Sequence, residues 1–314
     1  MVTSTLHVPV LLERCLELLR PAIENKSAVV IDATLGLGGH TEAMLNEHPQ
    51  LTVIGIDRDP VALKLASERL AGFGDRFKAH FGTYDEIDQV ASEASVDGIL
   101  MDLGVSSMQL DQAQRGFSYS QDSFLDMRMD QTQGSTAADL LADLDEFELG
   151  RIFRVYGEER FAMPIARRIV AARKLSPITM SSQLNKIVSE VVPAVPGKQS
   201  GHPAKRVYQA LRIAVNDELG ILERAMPQAI ASLKVGGRLV VMSYHSLEDG
   251  IVKEAMQKAA TSSTPVEMPI ELPGTAPIFK IITRGVERSG ERELELNPRA
   301  ASARLRAGEK VKGN

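Results

Sequence analysis

The segment Val29-Val30-Ile31-Asp32-Ala33-Thr34-Leu35-Gly36-Leu37-Gly38-Gly39-His40, with residues 51–57 after it, constrains this chain more than any other part. A short β-branched strand runs into a glycine-rich turn. A helical stretch follows, and then a second apolar strand (Leu51, Val53, Ile54, Ile56) that ends on Asp57. Only glycine lets backbone come so close to a nucleotide-like ligand. An acid closing the second strand, roughly 20 residues after the turn, can hold two ribose hydroxyls. The pattern predicts the ligand end of a Rossmann-type sheet.

Two ligands compete for such a site. A dinucleotide wants Gly-x-Gly-x-x-Gly or a terminal Ala, so that helix and strand pack tightly behind a pyrophosphate. Here the sixth position is Thr41, and Gly38 and Gly39 precede His40. S-adenosylmethionine carries no phosphate and needs acceptors around its amino group. The leading acid Asp32 suits it and would repel a pyrophosphate. The residues favour a methyl donor, with an NAD-dependent oxidoreductase as the rival.

Short apolar strands recur at 28–32, 51–56, 76–81 and 96–102 with helical patterns between them, the alternation of a parallel sheet. The rhythm then stops and returns at 237–243, 277–283 and weakly at 303–311. Residues 140–156, 158–174 and 181–192 repeat apolar positions every three or four residues, punctuated by Pro177, Pro193, Pro196 and Gly197. One long helix is expected over 204–233. The expectation is an α/β fold, a class I Rossmann-like S-adenosylmethionine-dependent methyltransferase sheet with an inserted helical domain. Its core spans 1–108 and 210–314, and the insert spans 109–209 as a substrate-recognition domain.

A chain of 314 residues has room for such a core and insert. Aromatic content of 4% without Trp argues against extended base-stacking platforms. The single cysteine, Cys15, lies in an amphipathic run and excludes disulfides and cysteine-rich zinc sites. The first nine residues lack a signal peptide's basic start and apolar run, so a soluble, cytoplasmic protein is expected, with no membrane partner. Net charge is only −5, but it is segregated. Residues 85–148 hold 15 acids against Arg115 and Arg128. Residues 151–174 hold seven basic residues against Glu158 and Glu159, and read as solvated helix faces. The segment 198–212 holds Lys198, Lys205, Arg206 and Arg212 without an acid, beside His202, and reads as a phosphate contact.

Asp102 ends the fourth strand beside the donor loop. Its carboxylate can hold the cofactor, cap the loop, or accept hydrogen bonds from an amine whose lone pair faces a sulfonium methyl. Methyltransferases of exocyclic amines often place Pro-Pro-aromatic after this acid, and this chain does not, so acceptor type stays open on these residues. In Tyr244-His245-Ser246-Leu247-Glu248-Asp249, Ser246 with Asp249 resembles a capping box. His245 is open between substrate contact and a buried hydrogen-bonded role. The six histidines show no metal-ligand spacing, so no metal is expected.

Together these segments resemble the bacterial small-subunit ribosomal RNA methyltransferase H family, also called MraW, almost end to end. His7-Val8-Pro9-Val10-Leu11-Leu12, DATLGLGGH and DLGVSSMQLD are similar to its opening, donor-loop and fourth-strand motifs. Arg115-Gly116-Phe117-Ser118, Tyr156-Gly157-Glu158-Glu159, His202-Pro203-Ala204, YHSLED and Asn297-Pro298-Arg299 follow in family order. The chain departs from the family at Met108, at Lys205 to Tyr208, and at Ala300 and Ala301.

The resemblance implies N4-methylation of one cytidine of 16S ribosomal RNA at the decoding centre of the small ribosomal subunit, near the P site, with S-adenosylmethionine as donor. It implies donor contacts from Gly38, Gly39, His40, Asp57, Tyr84, Asp102 and Gln109, with Asp102 also the catalytic candidate. Substrate contacts are expected from Arg115, Phe117, Arg206, Tyr244, His245, Asn297 and Arg299, with Tyr244 and Phe117 as stacking partners for the target base. A homodimer is compatible with this reading. The alternatives are an amino-methyltransferase acting on another RNA or DNA base, and a non-catalytic RNA-binding assembly factor that keeps the fold.

Overall fold

The structure, a computed structural model, describes residues 9–193, 202–265, 268, 270 and 272–313. His7 and Val8 of the opening motif, and Pro196, Gly197 and Lys198 before His202, lie outside the described residues. The chain divides into two compact units, one running to Gly104 and resuming at Leu219, the other Val105–Glu218.

The first unit is built on seven strands: β1 (Ala28–Asp32), β2 (Leu51–Asp57), β3 (Phe77–Phe81), β4 (Val96–Asp102), β5 (Leu233–Ser243), β6 (Phe279–Ile281) and β7 (Arg304–Lys310). Their order in the sheet is β3-β2-β1-β4-β5-β7-β6. β1 to β5 pair in parallel, while β7 runs antiparallel between β5 and β6. Both faces are covered, so the central strands are nearly continuous apolar runs split by parity. Val30, Val53, Leu100 and Val240 enter one cluster with Cys15, Leu19 and Ile23 of the helix Leu12–Ile23. Ile31, Ile56, Ile99 and Val241 enter the other with Leu222 and Met226 of the helix Glu218–Ser232 and Val252 of the helix Ser246–Ala259. The sheet order reverses between β1 and β4, and in open α/β sheets ligands bind at the carboxyl ends of the strands flanking such a switch.

The second unit has its own core. Phe153, Ile165, Ile169, Leu184, Val188 and Leu211 are buried in one cluster drawn from four of its helices. The observed insert therefore runs 105–218, wider than the expected 109–209. The helix Lys205–Asn216 gives Val207, Tyr208, Ala210 and Leu211 to the insert's cluster, so it belongs there. The expected single helix over 204–233 is two helices. Asp217 adopts left-handed backbone (φ 49°) after Asn216, and a new helix, Glu218–Ser232, begins. Apolar periodicity runs through the break, whereas a one-residue left-handed turn leaves no periodic trace. Among the described residues, no helix is long and apolar enough to cross a membrane.

Candidate active site

The turn after β1 is organised by buried polar groups. Asp32 is 2% exposed, and its Oδ2 accepts the Thr41 hydroxyl at 2.7 Å. Thr41 is fully buried, so the residue that spoils the dinucleotide pattern holds the leading acid instead. Burial raises the Asp32 pKa, opposed by the hydrogen bonds from the Thr41 hydroxyl and the Thr34 amide. A buried carboxylate beneath the loop disfavours a pyrophosphate. Gly38 stands at the N-cap of the helix Gly39–Glu47 with φ 77°, where an added Cβ would press Leu70 at 3.0 Å. At Gly36 an added Cβ would meet nothing closer than Thr34 O at 3.9 Å, so the backbone is bare there.

Asp57 closes β2. Its Oδ2 accepts the Gly36 amide at 2.7 Å and its Oδ1 the Asp59 amide at 2.8 Å. Asp59 in turn caps the helix Pro60–Leu70, accepting from Val61 and Ala62 ahead of Pro60 at the first helical position. This Asp-Pro helix start was readable in the sequence. Burial raises the Asp57 pKa to about 7 against these two amides. A carboxylate offers about four acceptor sites, so two amides leave capacity for two hydroxyls. The chain from β3 returns here, with Gly82 N donating to Asp57 O at 3.1 Å, and Tyr84 follows, half-buried, in a short turn.

Asp102 closes β4. Its amide donates to Thr34 Oγ1 at 2.6 Å, which fastens it to the β1 turn. Its Oδ1 accepts the Tyr244 hydroxyl at 2.6 Å. Burial raises its pKa to about 7; the Tyr244 hydrogen bond lowers it and Glu248 raises it. Tyr244 was expected to stack on a base; its hydroxyl is bonded to the acid and its ring is half-buried. The partners lie 142 residues apart in sequence, and no spacing signals the bond.

Glu248 organises the turn after β5. It is 2% exposed and its Oε2 accepts the amides of Tyr244 (2.7 Å) and His245 (3.2 Å). His245 is the N-cap of the helix Ser246–Ala259, its Nδ1 accepting the Glu248 amide at 3.4 Å. The expected Ser246–Asp249 box is thus shifted by one residue to His245–Glu248. His245 has extended backbone (φ −140°) and Ser246 is already helical, while Asp249 accepts a two-pronged ion pair from Arg306 at 2.6 and 3.0 Å. His245 Nε2 lies 3.1 Å from Glu248 Oε1.

The other expected site residues are placed as follows. His40 is buried with Nε2 3.1 Å from Val10 O, and desolvation lowers its pKa, so its ring is a neutral brace of the loop. An added Cβ at Gly39 would stand 2.5 Å from Pro9 Cγ, so that glycine permits chain packing. Asn297 is buried and opens the short turn Pro298–Ser302, on which Arg299 is exposed. In the insert, Gln109 is buried and its Oε1 accepts the Ser106 amide at 3.0 Å, capping a short helix. Arg115 is buried and donates to Met129 O at 2.7 Å. Phe117 is packed into the insert's core, which removes it as a stacking partner in this conformation because a buried ring has no open face. Arg206 is exposed, with Nη1 3.1 Å from Glu158 O. Sequence reasoning missed the roles of Thr34, Thr41 and Glu248, which depend on partners that only folding brings near.

Glycine-bared backbone and a carboxylate with spare acceptors, set at the switch point of this sheet order, define a Rossmann-like methyltransferase. Its methyl donor is S-adenosylmethionine, whose uncharged ribose and charged amino group suit that acceptor-rich edge. The chain belongs to the MraW methylase family, which matches residues 4–311. It is similar to the ribosomal RNA small subunit methyltransferase H of Beutenbergia cavernae, 54% identical over 312 residues, covering 98% of this chain and 94% of that one. The protein of the same name from Clavibacter michiganensis subsp. michiganensis is 53% identical over 315 residues, covering 99% of each. Among solved structures, an rRNA methylase from Streptococcus thermophilus is 12% identical with a TM-score of 0.44, covering 98% of this chain and 99% of that one.

Proposed function

We propose that this protein methylates the RNA of the small ribosomal subunit, and that its acceptor is the exocyclic N4 of one cytidine at the decoding centre, near the P site. The names of its relatives support the RNA class. The observation that carries the amine is Asp102, a half-buried carboxylate whose Oδ1 takes the Tyr244 hydroxyl. Its Oδ2 receives no hydrogen bond from the described residues.

When bound, S-adenosylmethionine supplies an electrophilic methyl on its sulfonium. Asp57 would hold the donor's ribose through its spare acceptor sites, and the bare backbone at Gly36 would admit it closely. Asp102 Oδ2 accepts a hydrogen bond from the target amine, which turns the nitrogen lone pair out of the ring plane. Once nitrogen is alkylated, the same oxygen takes the surplus proton. A carboxylate that titrates near neutrality suits that task, because it is charged enough to accept and basic enough to keep the proton. Positioning contributes most of the rate, as expected when two bound groups meet in line. Extruding the base from its stack costs roughly a few kcal/mol.

The test is transfer of labelled methyl from S-adenosylmethionine to small subunits from a strain lacking this gene, with the product nucleoside identified by mass spectrometry. N4-methylcytidine at one site is expected. Label on another RNA or DNA base would replace the cytidine assignment, and donor binding without transfer would leave the fold and sink the substrate. Light scattering of the free protein decides whether a second copy is a partner.

A further inference from the structure

The basic run 151–174, expected to be a solvated helix face, divides in the structure. Arg167 pairs with Glu146 and Arg168 with Glu190, each at 2.8 Å. Arg173 Nη1 donates to Leu141 O (2.6 Å) and Leu144 O (2.7 Å), capping a helix end. Arg151, Arg154 and Arg160 are exposed, and among the described residues none of them pairs with a carboxylate. They flank the turn at Tyr156 to Glu158 in sequence, with the Arg151 guanidinium 5.9 Å from the Tyr156 ring centre.

That turn is fastened to the start of the helix Lys205–Asn216. Gln209 Nε2 donates to Tyr156 O at 2.9 Å and Arg206 Nη1 to Glu158 O at 3.1 Å. A Cβ on Gly157 would stand 2.6 Å from Arg206 O, so glycine alone permits this approach. Lys205 and Arg206 are exposed at the same place. The Tyr119 ring stacks on His202 there (4.8 Å, 22°) and meets Tyr208 edge-on at 5.9 Å, which fixes the helix start. Of the two neighbouring acids, Glu159 is buried and accepts the Phe161 amide, and Glu158 is the one exposed acid of the turn. Two sequence runs thus become one cationic surface, within a protein of net charge −5.

A solubilising face would interleave acids, as the Arg167 and Arg168 half does. We infer that Arg151, Arg154, Arg160, Lys205 and Arg206 form the surface that holds the phosphate backbone of the ribosomal RNA substrate. This rests on the RNA reading above. Exposed guanidinium groups without acid partners keep their donors for phosphate oxygens and release counterions on binding.

The experiment measures binding of the full chain to protein-free 16S ribosomal RNA between about 50 and 200 mM salt. The variants are R154Q/R160Q and K205Q/R206Q, with R167Q/R168Q as the control. Each test pair should weaken binding about tenfold and flatten the salt slope by about one per cation removed. The control should bind as wild type, and all variants should keep their thermal stabilisation by S-adenosylhomocysteine, which reports an intact donor site. R154Q/R160Q breaks no intramolecular bond described above, so a loss there is not a folding effect. Wild-type affinity and slope in both test pairs would overturn the inference. Weakened binding to assembled subunits with unchanged binding to naked RNA would also overturn it, giving the surface to a protein partner. Wild-type protein that binds S-adenosylhomocysteine but neither binds nor methylates RNA would instead sink the substrate reading beneath it.

Discussion

Asp57 and Asp102 end the two strands that flank β1, and burial holds both near pH 7 rather than at the ordinary carboxylate value of 3.8. For Asp102 this sets a rate prediction. Below about pH 7 the acid is protonated and cannot accept from an amine, so turnover should rise with pH through that region. The Tyr244 hydroxyl stabilises the charged form, so Tyr244→Phe should move this limb to higher pH; other charged or titratable groups around the acid are Glu248, Asp32 and Cys15. A pH profile of kcat decides between a positioning role and a structural one, since the latter would lower kcat without moving the limb. The sign for stability is the opposite of the usual acid. A carboxylate raised in the folded state stabilises below its ordinary value, and that contribution is lost as pH rises through about 7. Asp102→Asn should therefore abolish transfer yet raise Tm at about pH 8, by roughly 2–4 °C per kcal/mol recovered. A lower Tm in calorimetry would contradict the assignment of burial as the cause.

At the scale of elements, Asp97 on β4 joins three segments. It accepts from Lys26 and Lys234 at 2.8 Å each and from the Val29 amide at 2.9 Å. These bonds outweigh its burial and lower its pKa. Its stabilisation is present above the ordinary value and fades as pH falls through the lower folded one. Asp97→Ala should cost about 2 kcal/mol near neutrality, because charge-assisted bonds to the strand edge are lost. The penalty should shrink in acid, which urea denaturation at two pH values would reveal. In the insert, Asn216 plays a comparable part, donating to Met127 O (2.7 Å) and Arg212 O (2.9 Å) and accepting the Met129 amide (2.8 Å). Asn216→Leu would strand buried backbone groups and should destabilise by about 2–3 kcal/mol, again read from urea curves.

Over the whole molecule there are two units with separate cores, and the proposed function and RNA surface would divide two kinds of binding between them. The sheet unit would hold the donor through backbone amides and carboxylates such as Asp57. The insert carries the five exposed cations proposed to meet phosphate: Arg151, Arg154, Arg160, Lys205 and Arg206. Raising salt from about 50 to 200 mM should weaken RNA binding steeply and leave S-adenosylhomocysteine affinity nearly unchanged, because only phosphate contacts release counterions. Calorimetric titrations of both ligands across that range provide the check, and parallel losses would refute the division.

Local pattern in the sequence sufficed for the strands, the glycine turn and Asp57, since each is set by side-chain period or by a backbone that only glycine tolerates. It also carried the order that marks an insertion, and a resemblance specific enough to name the family. Boundaries were less legible. The break at Asp217 and the His245 cap each hinge on one residue's backbone angles, which apolar periodicity does not record. What only the tertiary structure decided are pairings between distant segments: Thr41 beneath Asp32, Tyr244 on Asp102, and the turn at Gly157 against Arg206. These depend on which faces meet after folding, and the balance of burial against hydrogen-bond partners, rather than residue type, then sets how strongly each acid holds its proton.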